Sequence, residues 1–138
     1  MRLFAEKKDA GVQSFLLKLA NNNCSDLSAL AEGPRTDGRV SLVIVALVVP
    51  MHKGRPQAKE AFSVITKEIS TTGVSVVLNG PIGLDDVMLG FRWEDEMKFL
   101  RATAKHLNPM GGGFYQLGFQ MTETIHIGDY PELRSVGF

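Results

Sequence analysis

The chain has 138 residues, which is enough for one domain with its own hydrophobic core. Its 15 Lys and Arg residues balance its 15 Asp and Glu residues, which argues against a protein that follows long nucleic acid through a broad basic field. The single cysteine excludes an intramolecular disulfide, and the first residues do not resemble an export leader, so we expect a cytoplasmic protein. The strongest apolar run, Leu42 to Val49, is far shorter than the roughly 20 residues that span a bilayer, so we expect no membrane insertion.

An amphipathic helix is predicted near the start of the chain. Its apolar stripe has the spacing i, i+3, i+4 and i+7 of one helix face and consists of Val12, Phe15, Leu16 and Leu19. Further along, Gly33-Pro34 disfavours helix and begins an extended segment. We therefore predict that residues 1–32 form an N-terminal helical segment and that a new domain begins at residue 33.

From residue 40 onward the apolar pattern is typical of β-strands. The segment 40–49 has the β-branched density of a buried strand, another strand is predicted at 58–67, and apolar residues alternate with others at 74–78, 87–93, 100–104 and 115–121. Turn-forming residues separate these strands, including those at 51–57, 94–96 and 109–113. About six strands without intervening helices predict a small, mainly β barrel or sandwich.

The last residues of the chain show no sustained period. We therefore predict a β domain over residues 33–123 and a C-terminal tail over residues 124–138. Within the tail, Tyr130-Pro131 interrupts any regular pattern. The apolar Leu133, Val136 and Phe138 allow two alternatives, since they can pack back onto the β domain or contact a partner.

Two short motifs carry the functional information. Arg35 and Arg39 form an RxxxR motif in a Gly/Pro-punctuated stretch before the strongest apolar run, and Glu68-Ile69-Ser70-Thr71-Thr72-Gly73 follows downstream. A guanidinium is planar and permanently charged, so it can donate to the guanine O6/N7 edge, bind a phosphate or stack on a purine ring. Two arginines on one loop are therefore suited to binding a guanine nucleotide.

In this order and at this spacing, the two motifs resemble the RxxxR and (Asp/Asn)xSxxG signature of the PilZ domain, the bacterial receptor for cyclic-di-GMP. The resemblance rests on residues 35–73 and extends more loosely to about Met121, since Tyr115-Gln116-Leu117-Gly118-Phe119 is similar to the last barrel strand of that family. It implies a six-stranded antiparallel β-barrel rather than a sandwich, and the N-terminal amphipathic helix and the C-terminal tail lie outside the resemblance.

The resemblance also implies a ligand site made of five residues. Arg35 and Arg39 would stack on or donate to guanine and neutralise the nearby phosphate, and Ser70 would offer its hydroxyl to the other guanine or its phosphate. Gly73 would allow positive φ and a close approach of the backbone. Glu68 stands where the family has Asp or Asn, and would accept from the guanine N1 and N2 donors with a side chain one methylene longer.

The implied function is that of a non-enzymatic second-messenger receptor of bacterial type. It would bind cyclic-di-GMP, need no other cofactor and no metal, and signal to a protein partner when the arginine loop becomes ordered. The alternative is a degenerate PilZ-like adaptor that binds a protein partner and no nucleotide. A third class, a small hydrolase that uses Glu94 or Asp95, would turn over a nucleotide or ester, and we expect no such activity.

Basic residues on the predicted strands and turns are candidates for additional phosphate contacts, although charged residues that alternate with apolar ones are also typical of a solvated strand face. They are Arg55, Lys59, Arg101, Lys105 and His106.

Overall fold

The computed structural model describes residues 11–19 and 39–138. Helix α1 spans residues 11–19. Eight strands follow, namely β1 (Val40–Ser41), β2 (Val45–His52), β3 (Arg55–Pro56), β4 (Phe62–Ile69), β5 (Gly73–Leu78), β6 (Asp86–Trp93), β7 (Glu96–Gly111) and β8 (Phe114–Thr124). Short 3₁₀ turns lie at Ala58–Glu60, Ile127–Asp129 and Pro131–Ser135. Arg35 and the boundary predicted at residue 33 lie outside the described residues.

Six of the strands form a closed antiparallel barrel. Their order is β4, β5, β8, β7, β6 and β2, and β2 pairs with β4 to close the circle. The two-residue strand β1 pairs with the end of β4, and β3 pairs with the end of β2. The prediction of a mainly β protein with a six-stranded antiparallel barrel and an N-terminal helix is therefore confirmed.

The barrel interior is built from the predicted alternation. On β5 and β8 the buried residues are Val74, Val76 and Leu78, and Leu117, Phe119 and Met121. Helix α1 adds its apolar stripe to the same core, with Val12, Leu16 and Leu19 buried. Phe15 packs against Phe91 and Trp93, with ring centroids 5.9 and 6.0 Å apart. The helix therefore lies against the ends of strands that belong to the barrel, and its stripe completes the core.

The C-terminal tail covers part of the outer barrel surface. Leu133 is fully buried against Leu47, Val49, Met88 and Phe99, all from β2, β6 and β7. Strand β2 is thus buried on both faces, which explains why its sequence is a continuous apolar run rather than an alternating one. Of the two alternatives for the tail, packing back onto the barrel is the one observed.

An ion pair links the tail to the short β2–β3 hairpin. The Nε and Nη2 atoms of Arg55 donate to the two carboxylate oxygens of Glu132 at 2.8 and 2.5 Å, and the guanidinium lies 5.1 Å from the centre of the Tyr130 ring. The hydrogen bond from Arg55 lowers the pKa of the Glu132 carboxyl, and the same bond raises the pKa of Arg55. Both side chains keep solvent contact, so the pair is screened by salt.

Two predicted turn segments are largely strand. Strand β7 continues through Pro109 to Gly111, because three glycines with positive φ, at 111 to 113, allow a tight turn directly into β8. The segment 51–57 contains the β2–β3 hairpin, whose turn uses positive φ at Lys53 and Gly54. Within the described parts of the chain, no helix is long and apolar enough to cross a membrane.

Candidate functional site

The pairing of β1 with β4 brings the first motif to the second. Val40 pairs with Ile69 and Ser41 with Glu68, so Arg39, which precedes Val40, lies beside Ser70. The connection between β1 and β2 is held in place by Thr66, whose buried hydroxyl donates to the carbonyl of Leu42 and accepts from the N–H of Ile44 at 3.0 Å. Arg39 therefore sits on backbone that β4 positions at two points.

A cleft of about 440 Å³ lies on the outer surface of the barrel at this place. Arg39, Glu68, Ser70 and Gly73 all line it, so four of the five predicted site residues come together. The fifth, Arg35, lies outside the described residues. The volume falls in the range of about 300–1,000 Å³ that is typical of small-molecule sites.

Ser70 organises the turn between β4 and β5. Its Oγ accepts from the N–H groups of Thr72 and Gly73 at 3.3 and 3.2 Å, and its own N–H donates to the carbonyl of Gly73 at 2.9 Å. In the two side-chain bonds the hydroxyl acts only as an acceptor, so neither of them uses its proton. Ser70 therefore shapes the turn and presents an O–H donor in the cleft.

Gly73 is required by strand packing. A Cβ at this position would lie 2.4 Å from the carbonyl oxygen of Phe119 on β8, which real Cβ atoms do not tolerate. Its φ is not positive, so the backbone does not use the conformational freedom that glycine allows at this position. The close approach that Gly73 permits is to the backbone of the neighbouring strand.

A β-bulge directs Glu68 toward the cleft. The register of β4 against β5 shifts between Thr66 and Glu68, which leaves Lys67 as the extra residue. The N–H of Glu68 donates to the Oγ of Ser75 at 3.2 Å. Within residues 11–19 and 39–138 the Glu68 carboxylate has no hydrogen-bond or ion-pair partner, so both oxygens remain acceptors for a ligand.

Two of the additional basic candidates also line the cleft. Lys105 and His106 lie on β7 at a second bulge. Arg55 and Arg101 are instead paired with Glu132 and Asp86, the latter at 3.7 Å. Asn108, Gln116, Gly118 and Gln120 line the cleft as well and were not predicted. Gln120 lies beside Gly73 only because β5 pairs with β8 across more than 40 residues, a contact that no local pattern encodes.

The acidic residues considered for hydrolysis lie elsewhere. Glu94 and Asp95 form the turn between β6 and β7, where both have positive φ. Asp95 lies 4.0 Å from Arg92, and neither turn acid lines the cleft that contains the motif residues. Across the described parts of the chain, no three or more His, Cys, Asp or Glu residues form a group that could hold a metal ion.

The sequence matches no protein-family model and no curated protein. Among solved structures, the chain is similar to the structure of the Bacillus subtilis inhibitor of motility MotI/DgrA, with a TM-score of 0.48 and 19% sequence identity. The similarity covers 66% of this chain and 43% of that chain, so this chain spans less than half the length of that structure.

Proposed function

We propose that this protein is a non-enzymatic, cytoplasmic receptor for cyclic-di-GMP with a PilZ-like barrel over residues 33–123. The observation that carries the proposal is the convergence of Arg39, Glu68, Ser70 and Gly73 on one cleft. Arg39 lies about 30 positions before the other three in the sequence, and all four were selected by motif alone.

The chemistry of the cleft complements a guanine nucleotide. Arg39 provides a planar cation for phosphate or for the guanine O6/N7 edge. Glu68 provides acceptors for the guanine N1 and N2 donors, and Ser70 provides a hydroxyl donor. A cation, an anion and a neutral donor in one small cleft fit a ligand that carries both phosphates and purine edges better than they fit a simple anion.

The signalling step in this proposal is the ordering of the arginine loop. Arg35 lies four positions before Arg39 on the same segment, so a ligand held by both arginines draws that segment against β4 and β5. The surface created in this way is recognised by a protein partner. The ligand acts as a messenger and is released unchanged.

Calorimetric titration of cyclic-di-GMP tests the proposal. We expect the wild-type protein to bind with micromolar or tighter affinity and Arg39→Ala to bind at least about tenfold more weakly, a loss of about 1.4 kcal/mol or more. Arg134→Ala is the matched control, because Arg134 is exposed in the tail and does not line the cleft. GTP serves as the specificity control.

The absence of heat from the wild-type protein, together with a melting temperature unchanged at high ligand concentration, would contradict the receptor proposal. That result would favour the adaptor that binds a protein partner without a nucleotide. Equal affinities for the wild type and Arg39→Ala would show that Arg39 does not contribute to ligand binding.

A further inference from the structure

A row of neighbouring residues crosses the outer barrel surface inside the cleft. Strand pairing places Glu68 beside Ser75, Ser75 beside Gly118, and Gly118 beside His106. The row runs from β4 through β5 and β8 to β7. Gly118 is its only member without a side chain, so the surface is lowest there.

Gly118 differs from Gly73 in what surrounds it. A Cβ built at Gly118 meets no atom within 4 Å, whereas one at Gly73 meets the backbone of Phe119. Glycine in a strand interior weakens the strand, and often marks a place where another group approaches closely. No group of the described residues approaches Gly118 in this way, and the space above it opens into the cleft.

Beside Gly118, strand β7 carries two consecutive basic residues. Ala104 pairs with Phe119 and His106 with Gly118, so Lys105 is the extra residue of a bulge. Successive residues of a regular strand face opposite ways, but a bulge redirects side chains. Both Lys105 and His106 line the cleft, and within residues 11–19 and 39–138 neither side chain has a hydrogen-bond or ion-pair partner.

We propose that Lys105 and His106 form a second phosphate subsite, with Gly118 as its floor. A dinucleotide held by Arg39, Glu68 and Ser70 extends over β5 and β8 and places a phosphate against β7. This inference rests on the proposed function and adds residues outside the two motifs to the site. It assigns to Gly118 the role of leaving room for the ligand.

The width of the row favours a dinucleotide over a mononucleotide. Glu68 and His106 lie on strands three spacings apart, or about 14 Å at about 4.8 Å for each spacing. A mononucleotide held at Glu68 by its guanine edge spans a smaller part of this distance than a dinucleotide does. A ligand with two nucleotides can contact both ends of the cleft.

Replacing the two basic side chains with neutral amides tests the phosphate subsite. We expect the double variant Lys105→Gln with His106→Gln to bind cyclic-di-GMP at least about tenfold more weakly. Its affinity should also fall less between low and high salt, because salt screens the phosphate contacts that this variant lacks. The matched control is His52→Gln with Lys53→Gln, an exposed His-Lys pair outside the cleft, which should leave both quantities unchanged.

A larger side chain at residue 118 tests the role of Gly118. We expect Gly118→Val to keep the wild-type melting temperature, since valine suits a strand and its Cβ meets no atom of the described residues, and to lose cyclic-di-GMP binding. Gly83→Val is the control, because Gly83 also has open space at its Cβ position and lies outside the cleft. If Gly118→Val does not fold, the smaller Gly118→Ala takes its place, with weaker cyclic-di-GMP binding as the expected result.

The outcomes separate the two proposals. The wild type and the variant with Lys105→Gln and His106→Gln can bind cyclic-di-GMP equally well and with the same salt dependence. That result would contradict the second subsite and leave the receptor function in place. If a folded Gly118→Val variant binds cyclic-di-GMP like the wild type, Gly118 does not have the role of leaving room for the ligand. If the wild type does not bind at all, the receptor proposal and the subsite fall together.

Discussion

At the scale of single residues, two glycines on adjacent strands have opposite surroundings. Gly73 at the start of β5 faces the carbonyl of Phe119 at a distance that excludes any side chain, whereas a Cβ at Gly118 on β8 would meet no atom of the described residues within 4 Å. Each of the two glycines lies on a strand directly before an apolar residue, Val74 or Phe119. Only the position of the paired strand distinguishes a glycine that packing requires from one whose space stays open.

We predict that Gly73→Ala destabilises the protein by about 2 kcal/mol, because the added methyl forces β5 and β8 apart. Urea unfolding followed by circular dichroism measures the change. Gly118→Ala is the matched control and should not lower the free energy of unfolding, since its methyl contacts no atom in the described part of the chain. Similar losses in the two variants would show that the close contact at Phe119 does not restrict residue 73.

At the scale of elements, the tail explains the pattern of the two strands beneath it. Strands β2 and β6 have buried residues on both faces. The barrel core covers the inner face, and the tail covers the outer face. Met88 is fully buried although it alternates with the inward-facing Val87 and Leu89. A strand of an isolated barrel would expose that position, so the apolar outer face of β6 depends on the tail.

We predict that Leu133→Ala costs about 2–5 kcal/mol of unfolding free energy, the range for truncating a fully buried leucine. Ile127→Ala is the control in the same tail. Ile127 is 38% exposed, so its truncation should cost less than about 1 kcal/mol. If both variants have the same unfolding midpoint in denaturant as the wild type, the tail does not contribute to the stability of the barrel.

At the scale of the whole molecule, the contact between Arg55 and Glu132 joins segments that are 77 residues apart. Because the pKa of Glu132 is lowered in the folded state, the unfolded chain binds the proton more tightly. The pair therefore stabilises the fold above the ordinary glutamate pKa of 4.5, and this contribution is lost as the pH falls through the lower folded value.

We predict that the stability advantage of the wild type over Glu132→Gln, present at pH 7, shrinks as the pH falls below 4.5. Urea unfolding of both proteins across this interval measures it, and the other carboxyl groups cancel in the comparison. The advantage should also shrink with added salt, because both side chains are partly exposed. A constant difference between the two proteins at all pH values would contradict the role assigned to this ion pair.

Local patterns were sufficient for most of the architecture. The alternation at Val74, Val76 and Leu78 and the helical stripe from Val12 to Leu19 both identified residues that are buried. Such patterns succeed because each strand or helix must turn its apolar face to the core, whatever its neighbours are. The same logic did not identify the tail, since a short 3₁₀ turn around Leu133 has no period to detect.

Part of the candidate site could be identified from the sequence, and part of it could not. The two motifs picked out Arg39, Glu68, Ser70 and Gly73, because the residue types suited to a nucleotide are visible in the chain itself. The pairing of β1 with β4, the bulge at Lys105 and the open floor at Gly118 were decided by the tertiary structure. Sequence by itself determined which side chains were available and which faces were apolar. Closure of the barrel decided which of them meet, because strand pairing joins residues that are far apart in the chain.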